Sequence, residues 1–170
     1  VAGGASDPKR DSILSFEELY RACARDVYRF ALYLTRDAPL AEDLTSEAFV
    51  RAWNSDEPVR GETVKAYLIT IVRRLYLRER FQRARHLPLT ETIAAPEANF
   101  DHALDEKRRC ASIADALGQL PQMDRTALLM RAAGEMSHKE IAASLGLSAA
   151  AVKVRIHRAR RKLAQLWRQS

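Results

Sequence analysis

The stretch from Gly134 to Leu163 constrains the fold more than any other part of the chain, because it spells out two helices and the turn between them. Ser137 and Glu140 form an S-x-x-E capping box, in which each side chain satisfies a backbone N–H that the first turn of a helix leaves open. Ile141, Ala142 and Leu145 supply the apolar face of that helix. Gly146 stands where a helix ends in a left-handed residue, a conformation glycine adopts without steric cost. Ser148 then caps a second helix. Val152, Ile156, Ala159, Leu163 and Leu166 recur at steps of four, three, four and three, which puts them on one stripe. Ala150, Lys153, Val154, His157, Arg158 and Arg161 fall on the opposite face. From Ala149 to Ser170 there are seven basic residues (Lys153, Arg155, Arg158, Arg160, Arg161, Lys162 and Arg168) and no Asp or Glu. A short helix, a glycine turn and a second helix with a cationic outer face is the helix-turn-helix design. That design lays its second helix in a DNA major groove, and the one-sided charge suits phosphate contacts.

The rest of the composition narrows the function by exclusion. At 170 residues the chain has room for one ordinary domain or two small ones, and its net charge of +6 suits a polyanionic partner. No apolar run approaches the roughly 20 residues that span a bilayer, so no direct membrane insertion is expected. The first residues, Val1 to Asp11, lack an apolar core, so residues 1–14 read as a disordered arm and not as a secretory signal. Cys23 and Cys110 lie far apart, and His86, His102, His138 and His157 show no ligand spacing, so neither a metal nor a cofactor is expected. Cys23 fits an apolar stripe and reads as core. There is no nucleophile–base pair, no phosphate-binding glycine loop and no constellation of catalytic carboxylates. The expectation is a cytoplasmic protein that is not an enzyme and takes no small-molecule substrate.

Periodicity makes the chain all-α. Phe16, Leu19, Cys23, Val27, Phe30 and Leu34 define a first helix. Asp37 and Pro39 open a second, which carries Ala41, Leu44, Ala48, Phe49 and Trp53; both aromatics are expected in the core. Asn54 to Gly61 is a polar loop. A third helix has Val64, Tyr67, Leu68, Ile71, Val72 and Leu75 inward and ends in a basic run of Arg73, Arg74, Arg78, Arg80, Arg83 and Arg85. From Leu87 to Glu106 there is no Lys or Arg, and Pro88 and Pro96 oppose a long helix, which marks a linker. Helices resume near Lys107, with Ile113, Leu117 and Leu120 apolar, and Pro121 starts another that runs to Gly134. The expected layout is an arm over 1–14, a helical domain over 15–85, a linker over 86–108 and a second helical domain over 109–170 that holds the helix-turn-helix.

Three stretches in this order resemble the bacterial RNA polymerase sigma factors of the extracytoplasmic-function (ECF) group, in the sigma-70 family. Ala41 to Trp53 is similar to the region 2 helix that docks on the polymerase clamp, and Lys65 to Arg74 to the helix that engages the −10 element. Leu120-Pro121 and Ser137 to Leu163 are similar to region 4. The resemblance spans about Phe16 to Leu166. It implies a protein that binds core RNA polymerase, recognises the −35 element as duplex and the −10 element as single strand, promotes DNA opening and then leaves. It also implies an anti-sigma factor, which can hold the protein at the inner face of the membrane.

By the same resemblance, Glu42, Asp43 and Glu47 dock on core polymerase. Asn54, Arg60, Arg73, Arg74, Arg78 and Arg80 serve the −10 strand. His138, Lys139, Lys153, Val154, Arg155, His157, Arg158 and Arg161 serve the −35 element, with Arg155 at the edge of the apolar stripe and placed for phosphate. Two departures concern specificity. Arg74 stands where the family often has Asn, and Arg78 where it often has Asp or Asn; Arg cannot reproduce an Asn contact. Val154 stands where Ser is frequent and offers apolar contact, for example to a thymine methyl. A stand-alone helix-turn-helix regulator would explain the C-terminal half alone, and a helical adaptor would leave the cationic faces without purpose.

Overall fold

The computed structural model describes residues 15–55, 64–86 and 104–169, with no side-chain description for 86, 104–110 and 169. The expected arm over 1–14, Arg60 and residues 87–103 of the expected linker lie outside the described residues. Every element among the described residues is a helix: α1 (Phe16–Thr35), α2 (Ala38–Trp53), α3 (Val64–His86), α4 (Leu104–Gly118), α5 (Gln122–Ala133), α6 (His138–Leu145) and α7 (Ala149–Gln169).

Local chemistry sets the helix ends. Ser15 and Glu18 form a reciprocal capping box at the start of α1, an S-x-x-E signal like the one at Ser137. Asp37 caps α2 by accepting from the Leu40 N–H, and Pro39 sits in the first turn, where its missing N–H costs nothing. The apolar stripe of α1 is buried from Leu19 through Cys23, Val27 and Phe30 to Leu34, whereas Phe16 remains 39% exposed at the helix start. In α4 the core takes Ala114, Ala116 and Leu117, and Ile113, expected inward, is 37% exposed.

The helices α1, α2 and α3 pack on one another, and α7 packs on α4, α5 and α6. These two groups are not separate bodies. Helix α1 also packs on α5, and one buried cluster runs from Leu19 to Leu163. This explains why α3 is buried on more sides than its periodicity suggests: Ala66, Leu68, Ile69, Thr70, Ile71 and Val72 are all inside. Ile69 is the seam residue. A Cβ added at Gly134 would lie 3.0 Å from Ile69 Cδ1, so the end of α5 packs tightly on α3 at a residue with no side chain.

Ion pairs flank the apolar seam. Arg36 meets Asp115 at 3.1 Å. Lys65 bridges Asp26 at 2.8 Å and Glu135 at 3.2 Å. Arg36 (φ 58) and Glu135 (φ 53) are the non-glycine residues at positive φ among the described residues, and both send side chains across the seam. Left-handed backbone costs roughly 1–2 kcal/mol for such residues, so the surrounding packing must hold it in place.

Candidate nucleic-acid and docking interfaces

The helix-turn-helix is built by three caps. Ser137 Oγ accepts from the Glu140 N–H at 3.2 Å, and Glu140 Oε2 accepts from the Ser137 N–H at 2.6 Å. Those bonds hold the Glu140 carboxyl below its ordinary range. Gly146 closes α6 at φ 67 with its N–H on the Ala142 carbonyl. Ser148 Oγ accepts from the Ala151 N–H at 3.1 Å and opens α7. Ile141, Leu145, Val152, Ile156, Ala159 and Leu163 are buried beneath, which fixes the rotation of α7 about its axis. Lys153, Val154, His157, Arg158 and Arg161 are exposed on one face. Val154 is 56% exposed among cations, where an apolar side chain gains nothing from the fold. Lys139 is exposed and His138 half-buried at the first turn of α6.

Arg155, expected on phosphate, is engaged within the fold. Its guanidinium turns inward and donates to Oδ1 of Asp124 at 2.9 Å, across from α5. Asp124 was not singled out in the sequence, because a lone Asp in a first turn reads as helix-end electrostatics. The pairing joins residues 31 apart in the chain, and no local pattern encodes it.

The cations of α3 divide into two sets. Arg74 and Arg78 are exposed. Arg73, expected on the strand, is half-buried and donates to the Ser144 carbonyl at 2.9 Å; burial, with Arg74 beside it, lowers its pKa. Arg80 donates to Gln122 Oε1 and lies 5.8 Å over the Tyr76 ring. The C-terminal half thus engages Arg73 and Arg80 in this arrangement. Beyond Leu77 the helix is open to solvent on nearly all sides. Phe81 there is 65% exposed with the Arg85 guanidinium over its ring, an aromatic among arginines with no apolar periodicity to mark it in the sequence. Cationic side chains interleaved with an exposed ring are suited to a single strand, whose bases stack while its phosphates seek charge. Asn54 caps the C-terminus of α2 and is exposed.

Glu42, Asp43 and Glu47 are exposed on α2. The first turn, from Ala38, holds no acid, so the helix dipole accounts poorly for all three. Glu47 pairs with Arg51 at 2.6 Å. Asp43, Glu47 and Val50 follow one another at helical spacing, and Val50 is 50% exposed. Phe49 is buried as expected at 1%, but Trp53 is 49% exposed. Trp53 meets Phe16 edge-on at 5.5 Å, and Phe16 stacks with Tyr20 at 6.1 Å, so the end of α2 carries an aromatic surface and not core. Among the described residues no group of His, Cys, Asp and Glu is arranged to hold a metal, and no helix is long and apolar enough to cross a membrane.

Comparison with known proteins shows the family. The family described as Sigma-70 region 2 matches residues 19–86, and Sigma-70, region 4 matches residues 110–163. The ECF RNA polymerase sigma factor SigL of Mycobacterium tuberculosis is 34% identical over 151 residues, covering 85% of this chain and 84% of SigL. The chain belongs to the ECF RNA polymerase sigma factors. SigE of Mycolicibacterium smegmatis, another ECF sigma factor, is 34% identical over 154 residues; the match covers 88% of this chain but 60% of SigE, so the chain spans less than two thirds of that relative. The fold of this sigma factor is also that of the sigma factor RpoE of Bartonella quintana, solved with the anti-sigma factor NepR, with a TM-score of 0.72 at 24% identity over 92% of this chain and 98% of that one. The region 2 match holds the acidic α2 and the basic end of α3. The region 4 match holds the helix-turn-helix.

Proposed function

We propose that this chain recruits core RNA polymerase to promoters, with α7 reading the −35 element as duplex and the outer side of α3 holding the −10 strand. The observation that carries the reading is the orientation of α7. Its apolar stripe is buried on α5 and α6, and Lys153, Val154, His157, Arg158 and Arg161 form one open face at the end of a fully capped helix-turn-helix. Arg74, Arg78 and Phe81 serve the single strand, together with Asn54 at the end of α2 and Arg60, which precedes α3 in the sequence. Arg73 and Arg80 reach the strand once the C-terminal half has moved away. Residues 15–85 and 109–170 are then the two units that separate on the promoter, with 86–108 as the tether.

The acidic row of α2, with Val50 and Trp53 beside it, docks on a basic surface of core polymerase. The polymerase does the chemistry, and this chain supplies recognition without being an enzyme. It works in the cytoplasm. An anti-sigma factor controls it, as the similar sigma factor from Bartonella quintana is solved bound to one. A stand-alone regulator would use α7 equally but has no need of the α2 and α3 surfaces. Size exclusion with core polymerase, followed by footprinting, tests the reading. Co-elution with core and a footprint over two upstream elements is expected. Duplex binding by the chain alone, with no co-elution, would contradict it.

A further inference from the structure

Asp124 is the one charged residue among the described residues that is fully buried, at 0% exposure. It lies in the first turn of α5 and faces α7. Its two carboxylate oxygens are treated differently. Oδ1 accepts from Arg155 at 2.9 Å. Oδ2 is buried and has no hydrogen-bond partner, while Arg158 Nη1 stands 3.7 Å away, within ion-pair range and beyond hydrogen-bond range. Arg155 is 31% exposed at its side chain, Arg158 64%. An acid serving only to pin α7 to α5 would be satisfied by Arg155 through both oxygens, the arrangement a guanidinium fork prefers. Here one desolvated oxygen faces the guanidinium of Arg158, at the edge of the open face nearest α5.

We propose that Asp124 is a positioning residue for sequence reading: its Oδ2 anchors one edge of Arg158, so that the other edge meets the base pair in a set plane. A guanidinium is planar and carries five donors in fixed directions, so holding one edge orients the remainder. A two-bond contact to the O6 and N7 of a guanine demands that orientation. An unanchored arginine on a cationic helix instead settles on phosphates, which attract it at every sequence. The buried carboxylate therefore trades general DNA affinity for discrimination. This inference rests on the reading of α7 as the −35 helix.

The experiment compares holoenzyme binding to promoters with matched and scrambled −35 elements, over a range of salt. Asp124→Asn keeps the shape and an acceptor for Arg155 but removes the charge that faces Arg158. The ratio of matched to scrambled affinity should fall about tenfold, in the range that one two-bond base contact carries. Binding to scrambled DNA should rise, and its salt slope steepen by up to about 0.9, the increment for one more phosphate contact. In an Arg158→Ala background, Asp124→Asn should leave the ratio unchanged. An unchanged ratio for Asp124→Asn alone, or an equal fall in both backgrounds, would overturn the proposal. Should Asp124→Asn fail to fold, Asp124→Leu with Arg155→Met removes the carboxylate without stranding a buried charge, and the same fall and the same reversal apply to it. If the unmodified holoenzyme itself fails to discriminate the two promoters, the −35 reading fails and the inference falls with it. Discrimination by the unmodified protein that Asp124→Asn preserves overturns the inference alone.

Discussion

Ser137 shows how one side chain shapes the helix-turn-helix. Its hydroxyl satisfies an open N–H of α6, and the Glu140 carboxylate reaches back to the Ser137 N–H. Ser137→Ala should lower stability by about 1 kcal/mol, measured by denaturant unfolding, because the cap is lost while the apolar contacts remain. The box is also pH-dependent. The Glu140 carboxyl lies below its ordinary value of 4.5 in the folded chain, first through the Ser137 side chain and then through the Ser137 backbone. A depressed carboxyl contributes stability above its unfolded value and loses it as pH falls through the folded one. The loss caused by Ser137→Ala should therefore shrink as pH drops below about 4.5. Equal losses at neutral and acid pH would contradict this.

At the scale of single helices, features that depend on near neighbours in the chain were legible and features that depend on distant partners were not. The Ser137–Glu140 capping box, the Gly146 turn and the stripe from Val152 to Leu163 are written within a few residues of one another, and each forms as expected. The inward turn of Arg155 needed Asp124 on another helix. Ile69 is buried with Gly134 of the C-terminal half beside it, so the periodicity of α3 showed one face where the structure buries more. Trp53 looked like core because aromatics usually are, but α2 runs out beside Phe16 and leaves the ring half open.

Two helices carry predictions of their own. Asp43→Arg with Glu47→Arg inverts the charge of α2 at exposed positions, and should weaken core binding by about 2–5 kcal/mol, the usual effect of breaking close interfacial charge pairs. Competition against the unmodified protein for core checks this, with circular dichroism to confirm the helix content; unchanged competition would remove the docking role. On α3, Arg74→Asn with Arg78→Asp should change the −10 preference and flatten the salt dependence, by about 0.7 per phosphate lost on a single strand. If selection on a promoter pool returns the same −10 element at the same salt slope, those arginines do not touch the strand.

The two halves described here are joined by a seam that also occupies part of the surface proposed to face DNA. Arg73 and Arg80 of α3 bond to Ser144 and Gln122 of the C-terminal half, so their release requires the halves to part. Asp115 and Glu135 are 61% and 77% exposed at their side chains and contribute little to the core of either half. Reversing both, as Asp115→Arg with Glu135→Lys, sets like charges against Arg36 and Lys65. The radius of gyration in small-angle scattering should rise, with a loss of roughly 1 kcal/mol per pair. An unchanged radius would show that apolar contact alone holds the seam. Lys65 has its pKa raised above the ordinary 10.5, first by its hydrogen bond to Asp26 and then, against burial, by Glu135. A raised amine contributes stability that is complete below the ordinary value and lost as pH climbs through the folded one. Of these partners Glu135 alone lies across the seam, so the Lys65–Glu135 bridge should weaken only as pH climbs above about 10.5, and not at neutral pH.

These surfaces meet in one measurement, run-off transcription by core RNA polymerase with this chain on a genomic promoter library. The account predicts that transcripts appear only when both are present, that they share a −35 and a −10 element, and that Arg158→Ala costs about 1–3 kcal/mol on matched −35 sites and less on mutated ones. Transcripts with no common upstream elements, or selection that Arg158→Ala leaves unchanged, would contradict it.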